Sequence, residues 1–115
     1  MRVELDIFSG RPNPGWGIAG TQREEFLEAL RALSESTAKP PANEGLGYRG
    51  FIVTGVDAAE VDRVTAYRGY VTTQTGGRSM TLLDPDRNLE QRLLEAGREY
   101  LDQSLYTMML RELRR

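Results

Sequence analysis

Cysteine and histidine are both missing from these 115 residues, and lysine and tryptophan occur once each, as Lys39 and Trp16. Without cysteine there can be no disulfide, thiolate nucleophile or cysteine-bound cluster. Without histidine the commonest general base and the commonest metal ligand are gone. Ser-His-Asp and Cys-His catalysis are therefore excluded, and zinc, haem and copper centres are not expected. The expectation is a protein with no metal and no cofactor of its own. Any chemistry must come from Asp, Glu, Arg, Tyr, Ser, Thr, Lys39 or a borrowed cofactor.

Long apolar runs are missing too, so no segment reads as membrane-spanning and no membrane partner is expected. An excess of positive charge is also lacking. Fifteen basic residues against 17 acidic ones give a net charge of −2. No basic stripe is visible, so nucleic acid is not an expected partner. The opening Met1-Arg2-Val3-Glu4-Leu5-Asp6 puts charges where the apolar core of a signal peptide would stand, and a cytoplasmic location is expected by default.

What is present fits one globular domain over residues 1–115, with 39% hydrophobic and 28% charged residues. Val3, Leu5 and Ile7 alternate with Arg2, Glu4 and Asp6, the pattern of a half-buried strand. Thr21-Gln22-Arg23-Glu24 has the form of a capping box. Phe26, Leu27, Leu30 and Leu33 then make one apolar face, predicting a helix of about fifteen residues. Pro40 and Pro41 mark a loop over 34–43.

A second strand is expected over Tyr48–Thr54, then a turn or single helical turn over 57–62. A third strand should run from about Val64 to Gln74. Gly76-Gly77 suits a two-residue hairpin turn, leading to a fourth strand over Ser79–Leu83. Asp84-Pro85-Asp86 starts a helix, with Pro in the first turn and acids at the positive end of the dipole. Leucines and other apolar residues keep near-helical spacing from Leu89 to Leu113. One helix of about seven turns would outrun a small sheet, and its second half would meet another copy unless a break at Gly97 or Asp102 folds it back. The predicted fold is α+β: a four-stranded, mainly antiparallel sheet in the order β-α-β-β-β-α, with two helices on one face.

The most unusual stretch is Ser9-Gly10-Arg11-Pro12-Asn13-Pro14-Gly15-Trp16. Two prolines fix its backbone and two glycines free it where needed. Such a rigid loop can hold Arg11 and Asn13 as donors and Trp16 as a stacking wall around a ligand. It can equally be a connector in which Trp16 plugs the core and Arg11 pins the loop to a carboxylate.

Tyr48-Arg49-Gly50-Phe51 echoes Tyr67-Arg68-Gly69-Tyr70. If both strands run in one phase, Arg49, Phe51 and Val53 join Arg68, Tyr70 and Leu83 on the sheet face that the helices leave open, with Tyr48, Tyr67, Val71 and Met80 on the other. Two guanidinium groups beside aromatic rings would suit a carboxylate or phosphate with a flat apolar body. The same arginines could simply pair with surface acids.

Two further motifs read better as structure. Asp84, Asp86, Asn88 and Glu95 sit at calcium-loop spacing, but Leu89 stands where that loop needs glycine. Gly45-Leu46-Gly47 enters a strand, whereas a dinucleotide loop follows one.

The run Leu5-Asp6-Ile7-Phe8-Ser9-Gly10-Arg11-Pro12-Asn13-Pro14-Gly15-Trp16, with Gly47-Tyr48-Arg49-Gly50-Phe51 downstream, resembles a family of small uncharacterised bacterial proteins. The likeness spans most of the chain and implies no catalytic residue.

The function expected first is a small binding module for an anionic or carboxylate-bearing small molecule or peptide. Its site would combine Arg11, Asn13, Trp16, Tyr48, Arg49, Phe51, Arg68 and Tyr70. The alternatives are a cofactor-free isomerase, cyclase or lyase using Asp6 or a tyrosine as acid or base, and a homodimeric interaction protein joined through the sheet face and the C-terminal helix.

Overall fold

A computed structural model describes residues 1–42, 47–56 and 61–114. The readings over 57–60 and at Gly45-Leu46 lie outside these residues. The order of elements is β1 (Arg2–Asp6), β2 (Gly15–Gly17), α1 (Gly20–Arg31), β3 (Ser34–Glu35), β4 (Gly50–Thr54), β5 (Arg63–Tyr67), β6 (Tyr70–Thr75), β7 (Arg78–Leu83), α2 (Asn88–Ala96) and α3 (Gln103–Leu113). The class is α+β with an antiparallel sheet, as expected. Among the described residues there are seven strands, where four were predicted, and three α-helices, where two were.

The strands lie in the order β2-β1-β4-β5-β6-β7-β3, every pair antiparallel. The extra strands are short. β2 is the end of the rigid loop pairing back on β1, and β3 is two residues of the 34–43 loop pairing with β7. Neither is long enough to leave an alternating pattern in the sequence.

The hairpin at Gly76-Gly77 has the expected register, with Thr75 opposite Arg78, Thr73 opposite Met80, Val71 opposite Leu82 and Tyr70 opposite Leu83. The predicted third strand, by contrast, is two strands. Arg68 (φ 48°) and Gly69 (φ 82°) form a left-handed two-residue turn between β5 and β6. Two positive φ values in succession match the right-handed twist of the flanking strands.

That turn resets the phase. Leu5, Phe51, Ala66, Val71 and Leu82 pair across the sheet and share one buried face, joined by Val3, Val53 and Val64. Phe51 and Val53 therefore lie beneath the helices and not on the open face. Ile52 takes the opposite side with Thr65 and Thr72. Tyr67 pairs with Tyr70 at the end of the ladder, and its ring is buried 5.5 Å from that of Tyr48.

Leu89, Leu93 and Leu94 of α2 are fully buried and pack over β4 and β5. Phe26 and Leu27 of α1 close one flank. Leu105, Tyr106, Met109 and Leu113 of α3 close the other. α1 spans 12 residues and starts without a side-chain cap, so the Thr21–Glu24 box does not form. Glu24 faces Arg23 instead.

The C-terminal helix is broken. α2 stops at Ala96, a 3₁₀ turn spans Arg98–Tyr100, and Asp102 caps α3 by accepting the Leu105 amide. The Tyr106 hydroxyl donates to Glu95, tying α3 back onto α2. Helix length thus no longer argues for a second copy. Among the described residues no helix is long and apolar enough to cross a membrane.

Candidate functional site

The chemistry-bearing residues gather at one end of the sheet, where β1 ends, β4 begins, and the β5–β6 turn and the exit of β7 meet. Three arrangements stand there.

The first is the rigid loop. Asn13 pins it from within: its Oδ1 accepts the amides of Ile7 (3.0 Å) and Phe8 (2.7 Å), and its Nδ2 donates to Glu4 and Asp6. Arg49 pins it from without. Its Nη2 donates to Asp6 Oδ1 (2.8 Å) and to the Phe8 carbonyl (2.7 Å), and its Nε also reaches Asp6. With its ends fixed, the loop sets the Arg11 guanidinium 3.7 Å above the Phe8 ring. A stacked guanidinium keeps its in-plane N–H groups free for a carboxylate.

Arg11 lines a cleft of about 230 Å³ whose other walls include Phe8, Pro12, Tyr100, Leu101 and Leu105. Tyr100 is 57% exposed, a large ring with an uncovered face. Asp102 also borders the cleft, but its carboxylate is engaged by the Leu105 amide. Among the described residues Arg11 has no ion-pair or hydrogen-bond partner.

The second arrangement is a buried polar hub. Glu90 is wholly buried, and both of its oxygens are used. Oε1 accepts from the Gly69 amide (2.9 Å) and Arg87 Nε (3.0 Å). Oε2 accepts from Arg87 Nη2 (2.7 Å) and the Tyr48 hydroxyl (2.5 Å). Arg87 reaches it from a left-handed backbone (φ 54°) and donates its remaining arm to the Glu112 carbonyl. Burial, reinforced by the Glu90 charge, pushes the Tyr48 phenol far above its usual range. Asp84 lies alongside, 2% exposed, accepting the Leu89 amide at the start of α2. Burial raises its carboxyl above the ordinary carboxylate range.

This hub locks the β5–β6 turn, the segment before β4, and helices α2 and α3 together. It offers little chemistry. Glu90 has every lone pair engaged, and Tyr48 holds its proton. Asp84, read earlier against a calcium loop, serves as a helix cap.

The third arrangement is a cleft of about 360 Å³ lined by Ile7, Gly47 and Tyr48 and, from α3, by Met108, Met109, Arg111 and Glu112. A further cleft of about 400 Å³ between α1 and α2 has a polar rim on which Arg92 faces Glu25 at 3.9 Å.

The eight residues expected to form a single site are divided among these places. Arg11 and Asn13 stand at the loop cleft, Arg11 exposed and Asn13 spent on holding the loop. Arg49 buttresses the same loop. Trp16 is 2% exposed, its ring centroid 6.3 Å from that of Phe51 in an edge-to-face contact, and both rings belong to the core. Tyr48 belongs to the hub and walls the third cleft. Arg68 lies 5.2 Å over Tyr67 and reaches Glu112 of α3 at 3.9 Å, towards the helices, whereas Arg49 turns to Asp6. Tyr70 is half-buried beside Leu83 on the uncovered face. The shared arginine-aromatic sheet face therefore does not form.

Phe8, Tyr100 and Arg111 were not anticipated. Phe8 carried a usable signal, an aromatic three residues before Arg11 across a Ser-Gly turn. Tyr100 and Arg111 fitted the helical pattern too well to stand out. No protein-family model, curated protein or solved structure matches the chain.

Proposed function

We propose that this protein is a small binding module for a carboxylate-bearing ligand, held at the cleft of the 9–16 loop. One observation carries the reading. Arg11 is stacked on Phe8 at the mouth of a cleft, positioned by a loop fixed at both ends, and among the described residues no carboxylate forms an ion pair with it. A guanidinium held in place loses little freedom on binding, and its fork matches a carboxylate bidentately. Tyr100, Leu101 and Leu105 supply the apolar wall for the body of the ligand. Acid–base catalysis has less support, because the buried Tyr48–Glu90 pair is saturated and holds its proton.

Benzoate and benzamide differ in charge and little in shape, which makes them a suitable pair of probes. In nitrogen-15 NMR titrations benzoate is expected to shift the Arg11 side chain and the amides of Leu101–Leu105 saturably. It should bind about tenfold more tightly than benzamide, as a charge-assisted hydrogen bond implies. Arg11→Gln should abolish that preference. Equal binding of the two probes, or no saturable shift with either, would overturn the reading.

A further inference from the structure

We infer that the natural ligand is a linear dianion lying along α3, with one anionic group on Arg11 and the other on Arg111. The inference rests on the loop-cleft reading above and extends it to the second cleft. Leu105, Met108, Met109 and Glu112 recur at helical spacing and so form one stripe of α3. Leu105 borders the loop cleft, while Met108 and Met109 border the 360 Å³ cleft. The consecutive residues Phe8 and Ile7 border the first and the second respectively. One helix stripe and one chain segment thus carry both clefts. With a rise of 1.5 Å per residue, Leu105 and Arg111 are about 9 Å apart along the helix axis.

The charges are complementary to two anions. Arg111 is exposed and its side chain, like that of Arg11, has no hydrogen bond or ion pair among the described residues. The acids along the stripe are committed: Asp102 accepts the Leu105 amide and Glu112 faces Arg68. Much of the lining of the two clefts is apolar. Ile7, Met109 and the Tyr48 ring form one side, and Met108, 47% exposed, can adapt its flexible thioether to a chain laid across it. A monoanion would engage one cation only, and a polyol would leave the apolar wall without a partner.

The experiment uses the full chain labelled at its methionine methyls. It is titrated with straight-chain α,ω-dicarboxylates of increasing length and with monocarboxylates of the same lengths. The expected result is one length at which the dicarboxylate binds about tenfold or more tightly than its monocarboxylate, because the second contact becomes intramolecular. The Met108 and Met109 methyl signals should move with it. Arg111→Gln should reduce that dicarboxylate to monocarboxylate affinity and leave benzoate binding unchanged; circular dichroism confirms that this surface variant is folded. Equal affinities at every length, with benzoate still bound through Arg11, would overturn the dianion and leave the loop-cleft reading intact. Failure of benzoate itself to bind would remove both.

Discussion

The indole of Trp16 fills the space in which a side chain at position 97 would begin: a Cβ on Gly97 would stand 2.2 Å from Trp16 Cε2. The backbone of Gly97 is ordinary, with φ −99°, so the requirement there is room and not conformational freedom. The contact ties the rigid loop's end strand to the point where the C-terminal helix breaks. It thereby sets where the Arg98–Tyr100 turn runs and where Tyr100 stands against Arg11.

Gly97→Ala should therefore destabilise the fold by about 3 kcal/mol, at the upper end of ordinary overpacking costs, since a ring in a closed core cannot retreat. In a Trp16→Leu background the same substitution should cost at least about 1 kcal/mol less. Urea denaturation of the four proteins measures the cycle. Additive effects would show that the ring is not what excludes a side chain at this position.

Glu90 and Arg87 should behave as one unit. The Glu90 side chain is fully buried and Arg87 is 12% exposed. Glu90→Gln strands a guanidinium and Arg87→Met strands a carboxylate, so each should cost about 3–5 kcal/mol. In the double variant no charge is stranded, and the amide oxygen introduced by Glu90→Gln can still accept from the Gly69 amide or the Tyr48 hydroxyl. Its cost should fall short of the sum by about 2 kcal/mol. A double variant that loses the full sum would show that the two residues contribute independently.

Much of the architecture was legible because it is local. The Gly76-Gly77 turn fixed the register of β6 and β7, and Val3, Leu5 and Ile7 marked the first strand and its buried side. The errors came from turns whose residues give weak signals and from contacts between distant segments. Arg68 is an unusual residue for a left-handed position, so 64–74 read as one strand, and the missed turn put Phe51 and Val53 on the wrong face while Tyr70 and Leu83 kept theirs. The leucine spacing from 89 to 113 continues across the break because α2 and α3 both bury apolar faces in one core. The break falls where Gly97 and Asp102 had marked a possible one, and Trp16, far away in sequence, packs against it. The candidate site followed the same division. Arg11 stood out within its own loop, whereas Tyr100 and Arg111 became relevant only once α3 folded back beside it.

Tyr48 should make the fold sensitive to alkali. Burial and Glu90 raise its folded pKa well above the value of about 10 it has in an unfolded chain. A group whose pKa is raised on folding stabilises fully below the unfolded value, and that contribution is lost as pH climbs from there towards the folded value. At neutral pH Tyr48→Phe should cost about 1–3 kcal/mol, because buried Glu90 loses a donor. Above about pH 10 the wild-type advantage should shrink by about 1.4 kcal/mol per pH unit, since only the unfolded wild-type chain releases this proton. Urea denaturation of both proteins at pH 8, 10 and 11 tests the slope. Absorbance at 295 nm supplies a second readout: native Tyr48→Phe should titrate with the same phenolate amplitude as native wild type, because the Tyr48 phenol stays protonated until the chain unfolds. A native wild-type amplitude larger by one tyrosine would show that Tyr48 ionises in place and that the hub does not hold its proton.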